Sequence, residues 1–266
     1  MKGISAAAPK VVAASAAAGV AVLTTLVVSA DGVPFAVDTA LHEAGLDRRS
    51  PATVGAARML TATGTGVIVY VLVALAGWLA CRRAKVPAVR RVPVVLAALA
   101  VLGCGQLVRM GVRTAVDRSR PPAADWATHA HQASFPSGHA TTSALVAGLL
   151  AWAVLRALPG ARGRVAAVCC GLWAAGVAGT RVFLGVHWFS DLVGGWLLAA
   201  CWLALTLPLL GLVARRWTEA PSDAPEASSS PPPQTPPSRP GGNPRRSPGR
   251  APSPGRSREQ RNPRIG

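Results

Sequence analysis

Long apolar runs separated by short polar connections make up this chain as far as residue 214. A hydrocarbon core of ~30 Å needs about 20 mostly apolar residues in helical form. Stretches of that kind lie at 11–30, 63–80, 92–112, 138–155, 165–184 and 190–213. The pattern predicts an all-α fold, an integral membrane bundle of six transmembrane helices over residues 1–214. A tail at 215–266 follows it. Between the first two runs, residues 31–62 read as a short extracytoplasmic helical hairpin. There Val37, Leu41 and Ala44 recur at helical spacing, Gly45 is placed to end one helix, and Ser50-Pro51 to start the next. The second helix is expected to run into the second span, and the segment reads equally as an interfacial element near a substrate entrance or as a plain connector.

Composition adds a constraint. Half of the 266 residues are apolar, yet the formal charge is +17. The two are compatible when the charges lie between and after the apolar runs, which rules out a large separate soluble core. Short loops rich in Lys and Arg stay in the cytoplasm. Lys2 and Lys10, the basic 81–91 loop, Arg156, Arg162 and Arg164, and Arg215 and Arg216 all fall on one side of a six-span arrangement. That side is the expected cytoplasmic face. Segments 31–62, 113–137 and 185–189 then lie outside, in a multi-pass protein of the cell membrane.

The first run ends in Val28-Ser29-Ala30, which resembles a signal-peptide cleavage site, but its length favours an uncleaved anchor. From Pro221 the tail is Pro, Ser, Gly and Arg, too polar to offset its ordering entropy, and reads as disordered and cytoplasmic. Its arginines would be drawn to anionic lipid headgroups. No aromatic residue follows Trp217, so no nucleic-acid partner is expected. Cys81, Cys104, Cys169, Cys170 and Cys201 lie in or beside the spans without metal-type spacing, and read as packing residues.

Three polar clusters sit at the outer ends of the helices: Arg113-x6-Arg120-Pro121, Pro136-Ser137-Gly138-His139, and Thr180-Arg181-x5-His187-x3-Asp191. Arginine offers a planar fork of donors that matches phosphate oxygens. Arg113, Arg120 and Arg181 are therefore candidates to hold a phosphoryl group and offset the charge developing on it. Ser137 is a natural N-cap, and Gly138 allows an anion close approach to the free N–H groups of a helix start. His187 and Asp191 are four residues apart, on one face of a helix. Asp191 can accept the Nδ1 hydrogen of His187 and leave Nε2 as the nucleophile. His139 is the candidate general acid, and later base. With charge supplied by guanidinium groups, no metal and no cofactor is expected.

These clusters closely resemble the signature of the type-2 phosphatidic acid phosphatase superfamily, which also includes bacterial acid phosphatases and vanadium haloperoxidases. The family pattern is Lys-x6-Arg-Pro, then Pro-Ser-Gly-His, then Ser-Arg-x5-His-x3-Asp, and the resemblance covers residues 50–205. It implies a phosphohistidine at His187, oriented by Asp191. It also implies leaving-group protonation by His139 and phosphate binding by Arg113, Arg120, Ser137, Gly138 and Arg181. Arg113 stands where the family has Lys, and Thr180 where it has Ser.

The expected activity is hydrolysis of a lipid phosphomonoester or diphosphate, the lipid tail remaining among the membrane lipids. Phosphatidic acid, phosphatidylglycerol phosphate and undecaprenyl diphosphate are candidates. The competing readings are a phosphotransferase or haloperoxidase of the same superfamily, and a non-catalytic transporter or lipid-binding scaffold. Arg109 and Arg118 read as interfacial or solvated, and His129 and His131 as loop residues and not metal ligands. Asp117, Asp125 and Trp126 are possible headgroup contacts, and Trp188 and Trp196 packing aromatics.

Overall fold

The computed structural model describes residues 7–84 and 86–219. The expected disorder of the tail falls, from residue 220 onward, outside the described residues, as do Lys2 and Lys85. The fold is all-helical: α1 (Ala7–Ser29), α2 (Ala36–Asp47), α3 (Pro51–Ala62), α4 (Gly66–Ala80), α5 (Val92–Val116), α6 (Gly138–Ala157), α7 (Gly160–Phe183) and α8 (Phe189–Thr218). Short 3-10 turns lie at Ala88–Arg91 and Ala123–Asp125.

α1, α5 with the turn before it, α6, α7 and α8 are each long and apolar enough to cross a membrane. The chain is a multi-pass membrane protein. The second expected span differs from the reading above. α4 has 15 residues, about 22 Å of helix at 1.5 Å per residue. It reaches crossing length only together with α3, which it meets at a bend of 49°. Gly66 adopts φ +63° at this break, a conformation that other residues seldom take. A straight run of α3 into the span is thereby excluded.

α6 packs on α4, α7 and α8, while α1 lies along α8. The core joins Val69, Val73 and Ala76 of α4, Ala98 and Leu102 of α5, Leu145 and Leu149 of α6, and Ala199 of α8. Lipid tails are as apolar as these side chains, so close packing and small residues hold such helices together. Gly77 shows the principle: a Cβ there would lie 2.7 Å from the Val95 Cα, so α4 and α5 meet backbone to backbone.

The ends of α4, α6 and α8 come together at one end of the bundle. A cavity is lined by Arg83, Arg156 and Thr218, from the ends of α4, α6 and α8. Nearby, Arg91 stacks on Trp78 at 4.8 Å and Arg156 on Trp152 at 5.2 Å. The α2–α3 hairpin gathers at the other end with the loops before α6 and α8. Arg49 Nε donates to Phe183 O at 2.8 Å and its Nη1 to Asp125 O at 2.7 Å. Arg58 Nε donates to Ala127 O at 2.7 Å, and His42 Nε2 lies 3.0 Å from Asp125 Oδ2. The hairpin is tied to the site loops and is more than a connector.

Its local signals are partly as expected. Ser50 caps α3, accepting from Thr53 N at 3.2 Å, with Pro51 in the first turn. Gly45 does not end α2, which continues to Asp47. A Cβ at Gly45 would stand 3.5 Å from Phe183 Cα, an ordinary van der Waals contact, so α2 lies against the end of α7.

Candidate active site

α5 ends at Asp117, whose left-handed φ of 46° turns the chain sharply; Asp is among the residues that tolerate this conformation. Arg109 and Arg113, four apart, share one face of the last turns of α5. α6 starts at Gly138 with Ser137 as its N-cap, and α7 delivers Arg181 in its last turn. Asp191 lies in the first turn of α8. Two glycines of α8 let α6 come close. A Cβ at Gly194 would collide with the Phe135 ring, and one at Gly195 would fall 3.1 Å from Ser137 O.

The three motif clusters meet in one cavity of about 280 Å³. Its walls carry Arg109, Arg113, Arg120 and Arg181, with Gly138, His139 and His187 between them. The loop residues His129, Ala130, His131 and Ala133 complete it. His139 and His187 thus face the same space as the four guanidinium groups.

His187 is buried, with Nδ1 3.2 Å from Asp191 Oδ2 and Nε2 3.0 Å from Arg120 Nη1. Arginine has only hydrogens to offer, so Nε2 must accept and Nδ1 must carry the ring hydrogen. The Nε2 lone pair therefore points to the arginine side. Burial is the main cause that pushes the His187 pKa down to about 4; Asp191 opposes this, and Arg120 and Arg181 add to it. The imidazole is neutral at physiological pH, as a nucleophile must be.

Arg120 commits all five of its donors. Nε reaches Gln132 O at 2.9 Å, and Nη2 reaches His131 O and Ala133 O at 3.0 and 3.2 Å. Nη1 reaches Val186 O at 2.6 Å as well as His187. Of these, the hydrogen aimed at His187 is the one an anion beside Nε2 can share. Arg109 and Arg181 are different. Each has a buried Nε without a partner among the described residues, and the Arg181 side chain donates from Nη1 to Thr61 Oγ1 at 3.3 Å. Buried donors of this kind are costly unless something accepts from them.

Not every expected residue lines the cavity. Ser137 is fully buried; its Oγ accepts from Ala140 N at 3.5 Å and its N–H donates to Asp191 O at 3.0 Å. Its placement is that of a helix cap, with Gly138 and His139 forming the wall. Asp191 is also fully buried behind His187, where its carboxylate accepts from His187 Nδ1, Trp188 N and Arg118 Nη1.

Arg118 corrects the sequence reading most. It is 2% exposed, not solvated, and pairs with Asp38 Oδ2 at 3.0 Å and Asp191 Oδ1 at 2.7 Å. Arg109, read as interfacial, lies on the cavity wall, its Nη1 3.3 Å from where a Gly138 Cβ would stand. Asp125 and Trp126 are engaged internally, the first with His42 and the second through Nε1 to Pro121 O. Trp188 donates to Ser119 O, and Trp196 packs on a small cluster around Ala178. Asp38, Ser190 and Thr61 carried no sequence signal; their partners lie on distant stretches of chain.

Residues 93–213 match the PAP2 superfamily. This is the superfamily that the chain's motifs resemble. The chain is 33% identical over 101 residues to phosphatidylglycerophosphatase B of Bacillus subtilis (strain 168). That alignment spans 36% of this chain and 48% of the relative, about half its length. The fold is similar to the crystal structure described as the first transmembrane PAP2 type phosphatidylglycerolphosphate phosphatase from Bacillus subtilis. The TM-score is 0.61 at 23% identity, over 74% of this chain and 94% of that one.

Proposed function

We propose that this protein is a membrane lipid phosphate phosphatase that works through a phosphohistidine at His187. The supporting observation is one imidazole held between Asp191 and Arg120, with its Nε2 lone pair turned into a cavity shared by His139 and four arginines. Nε2 attacks phosphorus, the bond from phosphorus to the lipid oxygen breaks, and His139 donates a proton to that oxygen. Water then attacks the phosphohistidine and gives a proton to His139. Phosphate leaves, and Nε2 regains its lone pair.

Arg109, Arg113 and Arg181 hold the phosphoryl oxygens, helped by the single Arg120 hydrogen that His187 gives up. Charge held in place before reaction needs no reorganisation in the transition state. The phosphate's negative charge beside His139 favours its protonated form. The mechanism routes no step through a metal. The convergence of Arg83, Arg156 and Thr218 at the opposite end of the bundle supports an extracytoplasmic site and a cytoplasmic tail. The named activity of the Bacillus relative favours phosphatidylglycerol phosphate among the candidate substrates.

The test is phosphate release from a panel of lipid phosphates by the detergent-purified protein, with a chelator present, alongside His187→Ala. Activity is expected to survive the chelator and vanish in the variant, with 32P trapped on His187 after rapid quenching. Loss of activity with the chelator, or undiminished turnover in His187→Ala, refutes the mechanism. Capture of the phosphoryl group by an added alcohol in preference to water would identify a transferase.

A further inference from the structure

We propose that Asp38, on the hairpin before the second span, is a positioning residue for this reaction, acting on His187 through Arg118, Ser190 and Asp191. The proposal rests on the phosphatase reading above. Asp38 and Arg118 are both buried. Burial alone would raise the Asp38 pKa. Hydrogen bonds from Ser190, Phe35 and Arg118 outweigh it and hold the pKa below the ordinary carboxylate value. The carboxylate is therefore charged.

Its contacts lead step by step to the nucleophile. Asp38 Oδ1 accepts from Ser190 N at 2.7 Å, one of the free N–H groups at the start of α8. Asp38 Oδ2 accepts from Ser190 Oγ at 2.6 Å and from Arg118 Nη2 at 3.0 Å. Arg118 Nη1 donates to Ser190 Oγ and to Asp191 Oδ1, both at 2.7 Å. Asp191 Oδ2 then faces His187 Nδ1.

The charges explain why Asp38 matters to chemistry. Arg118 beside Asp191 alone would leave that pair neutral, and Asp191 would do little for the positive charge that forms on His187 during attack. Asp38 compensates Arg118. Two carboxylates against one guanidinium leave one negative charge beside the imidazole. Arg118 can then lock the orientation of Asp191 without cancelling its effect on the ring. Uncompensated buried charge is strongly unfavourable, so the three groups act as a unit.

The test uses the full chain in detergent micelles with dioctanoyl phosphatidic acid as substrate. Asp38→Asn keeps the shape and removes the charge. It is expected to lower kcat on the order of tenfold or more with KM within about twofold, because the cavity arginines are untouched. The double variant Asp38→Asn/Arg118→Met restores the single negative charge and is expected to recover part of the lost kcat. A merely structural role predicts the reverse, with the double variant worse than the single. Wild-type kcat in folded Asp38→Asn, or a double variant no faster than the single, overturns the proposal. If Asp38→Asn does not fold, Ser190→Ala removes the bridging hydroxyl, and unchanged kcat there overturns it equally. His187→Ala separates the two readings: turnover in that variant defeats the phosphatase assignment, whereas a dead His187→Ala beside a fully active Asp38→Asn defeats only the role of Asp38.

Discussion

Arg120 Nη1 stands 3.0 Å from His187 Nε2, while the other ring nitrogen faces Asp191 Oδ2 at 3.2 Å. A group that can only donate and a group that accepts thus flank one imidazole and decide its tautomer between them. The same guanidinium clasps the carbonyls of residues 131–133 and 186, so loop shape and ring orientation are one construction.

Replacing Arg120 by Lys keeps the charge but not the fork. One ammonium has three donors where five are in use, so the 131–133 loop loses its clasp. Arg120→Lys is expected to lower kcat/KM on the order of 10²-fold and to speed amide exchange across 131–133. Kinetics and hydrogen-exchange mass spectrometry check both, and normal exchange in that loop would contradict the clasp.

His187 should remain neutral through pH 5. Its pKa of about 4 lies below the ordinary value of 6.5. The unfolded chain therefore binds the proton first as pH falls, and stability declines from about pH 6.5 down to about pH 4. Nitrogen-15 NMR of histidine-labelled protein reads the ring directly. A midpoint for His187 near 6.5 would show that burial and the arginines do not govern it.

Arg181 has a buried Nε with no partner among the described residues. Arg181→Lys removes that donor and the planar fork. Inhibition by inorganic phosphate is expected to weaken on the order of tenfold, with helix content by circular dichroism unchanged. Unaltered inhibition would remove Arg181 from the phosphate site.

Gly195 faces Thr141 Oγ1 at 2.9 Å and the backbone of Ser137 and Thr141 at 3.1 Å, measured from an added Cβ. Backbone cannot yield as a side-chain tip can. Gly195→Ala is expected to cost about 1–3 kcal/mol of stability and to reduce kcat by pushing His139 from His187. A thermal melt in detergent with parallel kinetics measures both effects. An unchanged melt would mean that α6 and α8 have room to separate.

The sequence alone determined the all-helical membrane fold and most of the cavity wall. Apolar runs of spanning length are a local property, and so is the spacing that puts His187 and Asp191 on one turn. Ser50-Pro51 and Ser137-Gly138 announce helix starts through their own chemistry. Tertiary structure alone decided the rest. The bend between α3 and α4 depends on Gly66, in a run whose hydropathy reads as continuous. Arg118 carries the same charge as Arg113 and Arg120, and only the fold shows that it enters the core while Arg120 clasps a loop. Asp38 is separated from Ser190 by 152 positions. Contacts over such distances are set by how helices pack, and the local pattern of residues does not encode that.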